Sequence, residues 1–370
     1  MKLHTAAQDL LGHLQSLSRV ASGRLANPTL SGVQIAADAD GIELRATDLQ
    51  VGLRIKLEGE VERPGTIVLP ARLLLDITRQ APGPRLTLEL RTEEQDVEVT
   101  AGSAVFHLRT LRGEDFPPLP EPAGADAVHV PADAFIATTA KVVRSAAKDD
   151  TRPLLACVLV RAEGDTLTMV ATDSYRLSEK RTALETPLEG GFEANVPARV
   201  MQELERLVPA SGAEHLVVSR GENQVLFTIG EHVLSSRLVD GTFPQYRSLI
   251  PETFEHELRV STAELREVVS RVSLLAQKAA ALRLAFSDGE LVVSAQTQDV
   301  GEAREPLPVP FQGEPFEIGF NPEYLRDGLD AIDEDEVLLR LTSPIRPGLL
   351  QTTDEQQGFL YLIMPIRLNA

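Results

Sequence analysis

The 370-residue sequence predicts an α+β fold: three tandem repeats of one domain, each with two helices on an antiparallel sheet. Three observations predict it. A threonine closes a strand-like run in LRATDLQVGLR, TMVATDSYRL and VVSAQTQDVGEA, and Thr47, Thr172 and Thr297 stand 125 residues apart each time. A proline opens a short helical pattern in LPARLL, VPARVM and FNPEYL, with Pro70, Pro197 and Pro322 spaced by 127 and 125. An arginine-bearing strand leads into Phe-Pro in FHLRTLRGEDFPPLP and LSSRLVDGTFPQY, and the third copy ends as FLYLIMPIRL. Ordered markers at one period mean triplication. The period exceeds the roughly 20–50 residues of solenoid units, so each copy has length enough for its own core. The copies are expected at 1–123, 124–254 and 255–370, with boundaries in GEDFPPLPEPAGADA and after FPQYRSLIPETFEHE.

The elements follow in the same order in each copy. An amphipathic helix is expected first, in TAAQDLLGHLQSLSRVA, in residues 131–148 and in residues 261–278, with Pro131 and Ser261 as start signals. Two strands follow across a tight bend, as in CVLVRAEGDTLTMVAT and LRLAFSDGELVVSAQ, with Gly164-Asp165 and Asp288-Gly289 at the turns. After further strand, a second helix opens at Pro, as in PARLLLDITRQ and PARVMQELERLV. A closing hairpin such as HLVVSRGENQVLFTIGEHVLSSRLV completes the unit. Six helices are thus expected along one side of an extended arc.

Composition narrows the class. Hydrophobic residues make up 43% and charged residues 25%, the balance of a folded soluble protein, and aromatics at only 4%, with no Trp, call for an aliphatic core. The single Cys157 lies in the apolar run LLACVLV, which excludes an intrachain disulfide and reads as small buried filler. The N-terminal stretch lacks a long apolar segment and no run of 18 apolar residues follows, so a cytoplasmic protein with no membrane partner is expected.

A net charge of −19 argues in bulk against nucleic acid. Its distribution argues otherwise. Residues 131–148 set Asp133 against Lys141, Arg144 and Lys148, and residues 261–278 set Glu264 and Glu267 against Arg266, Arg271 and Lys278. Acid gathers in loops and second helices, as in DGLDAIDEDEV and RTEEQDVEV. The first helices are either ordinary solvated faces or a mildly basic surface for phosphates. On charge alone, Lys141, Arg144, Lys148 and Arg152 are candidate contacts to duplex DNA, made to the backbone and therefore blind to sequence.

The motifs exclude more than they assign. Thr172-Asp173, like Thr47-Asp48, reads as local turn chemistry. The seven His are dispersed without ligand spacing, so no metal is expected, and DAIDEDE lacks the spacing of a calcium loop and reads as a solvated acidic face. No phosphate-binding or nucleophile-elbow motif appears, and no cofactor is expected. A hydrolase or nuclease centred on Asp173 and Arg176 would need a second acid or a metal cluster. A repeat protein that binds peptides but not DNA is a further alternative. The terminal LYLIMPI reads as core or, because Pro365 demotes it to an edge, as the lining of a groove.

Triplication, ATDSYRL, FPQYR and the terminal YLIMPIRL together resemble the bacterial DNA polymerase III beta subunit family, the sliding clamps, over the whole chain. The resemblance implies a non-catalytic DNA clamp fold: a head-to-tail homodimer closed into a ring around duplex DNA, helices inside, which tethers polymerase to template. It implies a groove that takes short linear motifs from the polymerase III catalytic subunit, the clamp loader, other polymerases and repair proteins. Matched by motif, the groove residues are Leu155, Thr172, Ser174, Tyr175, Arg176 and Leu177, then Pro244 and Leu249, Asn321 and Tyr324, and Leu362, Ile363, Met364, Pro365, Ile366 and Arg367. Leu, Ile, Met and Pro suit apolar anchors, and Arg176 and Arg367 suit peptide carbonyls or acids. The resemblance also implies Arg24 at the DNA, and Phe106 and Leu108 against Leu274 and Leu275 at the dimer interface. The chain departs from the family where Ser174-Tyr175 replaces a frequent Gly-His, where Ser248 replaces a frequent Arg, and where no aromatic stands near residue 279. Ser174 therefore has to hold a turn with a less permissive backbone. Only the middle copy follows Thr-Asp with Ser-Tyr-Arg-Leu, so the functional part of this stretch is expected in Ser174–Leu177.

Overall fold

Strands, not helices, open the repeats. The computed structural model describes residues 1–21, 27–121, 127–149, 151–276, 281–297, 300–354 and 358–368. The first repeat runs β1 (Lys2–Ala6), α1 (Ala7–Val20), β2 (Gly32–Asp38), β3 (Gly41–Thr47), β4 (Val51–Leu57), β5 (Gly59–Arg63), β6 (Gly65–Pro70), α2 (Ala71–Arg79), β7 (Arg85–Arg91), β8 (Asp96–Ala101) and β9 (Ala104–Arg109). The second runs β10 (Ala127–Pro131), α3 (Ala132–Val142), β11 (Cys157–Glu163), β12 (Thr166–Thr172), β13 (Arg176–Ala183), β14 (Gly191–Pro197), α4 (Ala198–Ser211), β15 (His215–Arg220), β16 (Gln224–Ile229) and β17 (His232–Arg237). The third runs β18 (His256–Ser261), α5 (Thr262–Ser273), β19 (Leu282–Ser287), β20 (Glu290–Thr297), β21 (Gly301–Pro308), β22 (Phe316–Phe320), α6 (Pro322–Asp330), β23 (Glu336–Leu341), β24 (Gly348–Thr352) and β25 (Phe359–Ile363).

Three expectations need correction. The opening strands KLHTA, AVHVP and HELRVS were not expected; they alternate in burial as half-buried strands do. The expected closing hairpin is three strands. The helix expected over 131–148 ends at Val142 and tightens into a 3₁₀ turn over Val143–Ser145, so Arg144 sits on that turn and Lys148 lies beyond it. The bends came out as read: Gly164 and Gly289 take φ of 59° and 74°.

The chain divides into two compact units, Met1–Ala132 with Arg206–Leu238, and Asp133–Glu205 with Val239–Ala370. Neither is a single repeat, and the sheets explain why. In the first unit, one sheet is ordered β5-β1-β7-β8-β9 and a second is ordered β10-β15-β16-β17-β4-β3-β2-β6. The second joins two repeats by antiparallel pairing of β17 with β4, Leu234 opposite Leu53. Helix α1 buries Leu10, Leu14 and Leu17 completely and packs on α2, which buries Leu74 and Leu75.

The second unit repeats the device. One sheet is ordered β14-β11-β12-β13-β25-β24-β23-β18 and the other β21-β20-β19-β22. Here β13 pairs with β25, with Arg176 opposite Ile363, Leu177 opposite Leu362 and Ser178 opposite Tyr361. Helix α5 starts at Ser261, whose hydroxyl accepts the Glu264 N–H, and α6 starts at Asn321, whose side-chain oxygen accepts the N–H groups of Glu323 and Tyr324. These helices and their sheets enclose a core with Leu265, Val269, Phe286, Phe320, Leu325, Leu329 and Tyr361. Gly328 on α6 is there for close approach: a Cβ at that position would lie 2.6 Å from the Tyr361 ring. Among the described residues no helix is long and apolar enough to cross a membrane.

Candidate functional site

The stretch from Thr172 to Arg176 is a turn that the first repeat also makes. Thr172 Oγ1 donates to the Arg176 carbonyl at 2.7 Å and accepts the Ser174 N–H. Asp173 Oδ1 accepts the N–H groups of Tyr175 and Arg176 at 2.9 and 3.0 Å. Thr47 and Asp48 make the corresponding four bonds to Val51, Leu49 and Gln50. Thr and Asp here do turn work, as their chemistry predicts. The other oxygen of Asp173 meets Arg176 Nε at 3.2 Å, and the residue is 7% exposed. A carboxylate so occupied is not a catalytic base.

Arg176 is not where its chemistry suggested. It is 2% exposed and donates to Asp173, to Asp327 on α6 and to the Arg144 carbonyl. Its guanidinium carbon stands 4.3 Å from the centre of the Tyr324 ring. Burial opposes its charge, but Tyr361, Asp327 and Asp173 outweigh burial and hold its pKa above the ordinary value. Burial likewise pushes the Tyr361 phenol up, and its hydroxyl donates to the Tyr324 carbonyl at 2.7 Å. The reach of Arg176 toward a peptide is thus spent inside the protein. It binds β13 to α6 behind the surface.

Leu177 and Leu362 are buried with Cys157, Leu159, Val170, Phe243, Tyr246 and Leu349 in a small core under the sheet end. Above it lie exposed side chains: Tyr175 (59%), Leu249 (57%) and Met364 (40%). The Met364 N–H donates to the Tyr175 carbonyl at 2.8 Å, so the turn and the C-terminal segment meet edge to edge. Leu155 is half-buried, and its carbonyl accepts from Ala147. Pro244 is exposed next to buried Phe243. Ile363 is buried; Pro365 and Ile366 are half-buried, with Ile366 N–H on the Gly319 carbonyl, and Arg367 is exposed. Asn321 serves as the α6 cap and Tyr324 as the platform for Arg176, and both are half-buried. Ser248 is exposed and its hydroxyl donates to the Gln245 carbonyl.

Two residues read differently once placed. Arg152, expected at DNA, donates to the Ser174 hydroxyl at 3.3 Å and so lies at the Thr172–Arg176 turn. Ile345 was missed: it is 69% exposed in the loop before Gly348, which pairs with Ile363, so the loop reaches the same sheet end. An isolated Ile between prolines in SPIRP was its only signal. Cys157 is buried, and burial pushes its thiol up to about 12, so it is inert filler.

The basic residues of the second repeat are also placed together, but not free. Lys141 meets Asp333 at 2.6 Å, Lys148 meets Glu323 at 3.2 Å, and Arg144 lies 3.8 Å from Asp330 and 3.9 Å from Asp327. Within the acidic run read as a solvated face, Asp333 is exposed yet pairs with Lys141 and Asp330 lies near Arg144; Glu323, the partner of Lys148, precedes the run. Arg24 and the segment around residue 279 lie outside the described residues. Of the interface residues, Phe106 is half-buried and Leu108 is buried on β9, where Val105 is 52% exposed; Leu274 is 82% exposed and Leu275 half-buried just beyond α5.

Tandem α+β repeats joined strand to strand, with exposed apolar side chains beside a turn that consumes its own polar groups, are the frame of a binding scaffold. Family models match the chain in three consecutive segments: the N-terminal domain of the DNA polymerase III beta subunit over residues 1–120, its central domain over 129–245 and its C-terminal domain over 247–367. The beta sliding clamps of Synechococcus elongatus and Streptomyces coelicolor are each 32% identical over 380 residues, covering all of both chains. The solved sliding clamp of Bacillus subtilis superposes with a TM-score of 0.91 at 27% identity, and the Pseudomonas aeruginosa beta subunit with 0.88 at 31%, each covering 100% of both chains. The chain belongs to the DNA polymerase III beta subunit family, the beta sliding clamps. It is a DNA polymerase processivity factor, and its partners are DNA, a second copy of itself, and the polymerase and other proteins it tethers.

Proposed function

We propose that Tyr175, Leu249 and Met364, over the buried floor of Leu177 and Leu362, form the groove that receives short linear motifs of polymerases, the clamp loader and repair proteins. The observation that carries this is the Met364–Tyr175 backbone bond, which brings two exposed apolar side chains from distant segments to one edge. A floor of aliphatic residues with a methionine on the rim suits apolar anchors of several partners. Replacing both Leu249 and Met364 by Asp should weaken a fluorescent polymerase-derived peptide at least tenfold while the dimer persists. Unchanged affinity overturns the assignment. Removing residues 363–367 is a poorer test, because Ile363 is core and Ile366 is tied to Gly319.

The same reading extends to assembly. Each junction between repeats pairs the last strand of one repeat with the fourth strand of the repeat before it, β17 with β4 and β25 with β13. Two strands of these types end their sheets, β9 and β21. Pairing β9 of one copy with β21 of another would continue the pattern head to tail and close a two-copy ring around duplex DNA in the cytoplasm. Leu275 supports this, since its side chain lies 3.9 Å from where a Gly301 Cβ would stand at the start of β21. Loaded protein should remain on circular DNA and be lost from linear DNA; equal retention on both overturns the ring.

A further inference from the structure

We propose that Asp333 and Glu323 act as built-in competitors of DNA phosphate, holding Lys141 and Lys148 so that the protein's grip on duplex DNA stays weak and only mildly dependent on salt. This rests on the reading that the cations of the second repeat face DNA. It adds a role for the acids that oppose them.

The geometry is specific. Lys141 is largely shielded, its side chain 18% exposed, and its ammonium lies 2.6 Å from Asp333, which is 83% exposed. Lys148 is 82% exposed and pairs with Glu323 at 3.2 Å. Arg144, between them in sequence, has Asp330 and Asp327 within 4 Å. Lys141, Arg144, Asp327, Asp330 and Asp333 line one recess of about 350 Å³. Lys141, Arg144 and Lys148 thus each have a carboxylate nearer than the Debye length of about 8 Å at physiological salt.

Two consequences follow for a polyanion. A phosphate that takes the ammonium must displace the carboxylate, which then stands unpaired beside a second negative charge. And the displaced carboxylate gathers cations from solution, which cancels part of the counter-ion release that ordinarily drives DNA binding. The Lys148–Glu323 pair is exposed on both sides and contributes little to stability, and in the other pair the acid to be changed, Asp333, is itself exposed. The acids can therefore be neutralised without loss of the fold, and what they cost in DNA affinity becomes measurable.

The test compares the full-length protein with Asp333→Asn plus Glu323→Gln, binding a short fluorescent duplex across a salt series. If both cations are freed, the slope of log affinity against log salt should steepen by up to about 1.8, from roughly 0.9 per phosphate contact, with tighter binding at low salt. Peptide affinity and thermal midpoint serve as controls for the fold. Equal slopes in the two proteins overturn the proposal while leaving DNA contact intact. A Lys141→Ala plus Lys148→Ala variant separates the two readings: if it binds DNA as the parent does, these cations do not meet DNA, and both fall.

Discussion

Leu49 and Ser174 stand at the same position of the same turn, 125 residues apart, with φ of 74° and 79°. The left-handed region costs a residue with a Cβ roughly 1–2 kcal/mol. At both sites the turn is held by the Thr hydroxyl and the Asp carboxylate, which bind the neighbouring amides. Ser174→Gly should stabilise the protein by roughly 0.5 kcal/mol, strain relief less the added freedom of the unfolded chain. Ser174→Val, β-branched at positive φ, should destabilise it by more than about 1 kcal/mol. Urea unfolding reads both, and the opposite ordering would refute strain at this turn.

Asp327→Asn should be costly although Asp327 is far from the exposed groove side chains in sequence. It leaves the buried Arg176 with Asp173 as its remaining carboxylate. Breaking a buried pair costs about 3–5 kcal/mol, and the surviving partner should keep this change near the lower end. Unfolding monitored in urea should show it; a change below about 1 kcal/mol would mean that Arg176 is not held by this pair.

Gly328→Ala tests the close approach of α6 to β25. Alanine gains up to about 1 kcal/mol of helix propensity, but its methyl would stand 2.6 Å from Tyr361 and 2.9 Å from Leu350. Overpacking of a core costs about 1–3 kcal/mol, so net destabilisation is expected, together with weaker peptide binding as β25 shifts. A raised melting temperature would show that the contact is slack.

His13 on α1 and His232 on β17 meet edge to face at 5.4 Å between ring centres. Burial, then the charge of His232, holds the His13 pKa below its ordinary 6.5, with Asp9 opposing; burial holds His232 down against Glu231. Depressed histidines are neutral when folded, and the unfolded chain binds more protons near pH 6. Stability should therefore be full above about pH 7 and fall as pH drops through 6.5. His13→Gln plus His232→Gln should flatten this slope in melting experiments; an unchanged slope assigns the acid sensitivity elsewhere.

The turn, the repeat and the second helices were legible because Thr, Asp and Pro act on their immediate neighbours in sequence. Short-range chemistry recurs visibly at a fixed period. The opening strands were not, since five residues of alternation beside an amphipathic helix offer too little pattern. The fate of Arg176 was hidden for another reason. Its main partner is 151 residues away, and the partners of Lys141 and Lys148 are 192 and 175 residues away. Residue type shows that a cation exists; only the fold shows whether its charge is already spoken for.

The strand-to-strand junctions carry a consequence for how such a chain can change over generations. What β17 offers β4, and β25 offers β13, is a row of amide N–H and carbonyl groups, and every residue but proline supplies both. A seam made of main chain asks little of the side chains along it. Copies of an ancestral segment can diverge until hardly more than a Thr, an Asp and a Pro betray their kinship, and still dock on one another as they did when identical. One copy is then free to turn a loop, and the next its tail, toward new ligands while the shared scaffold stays as it was.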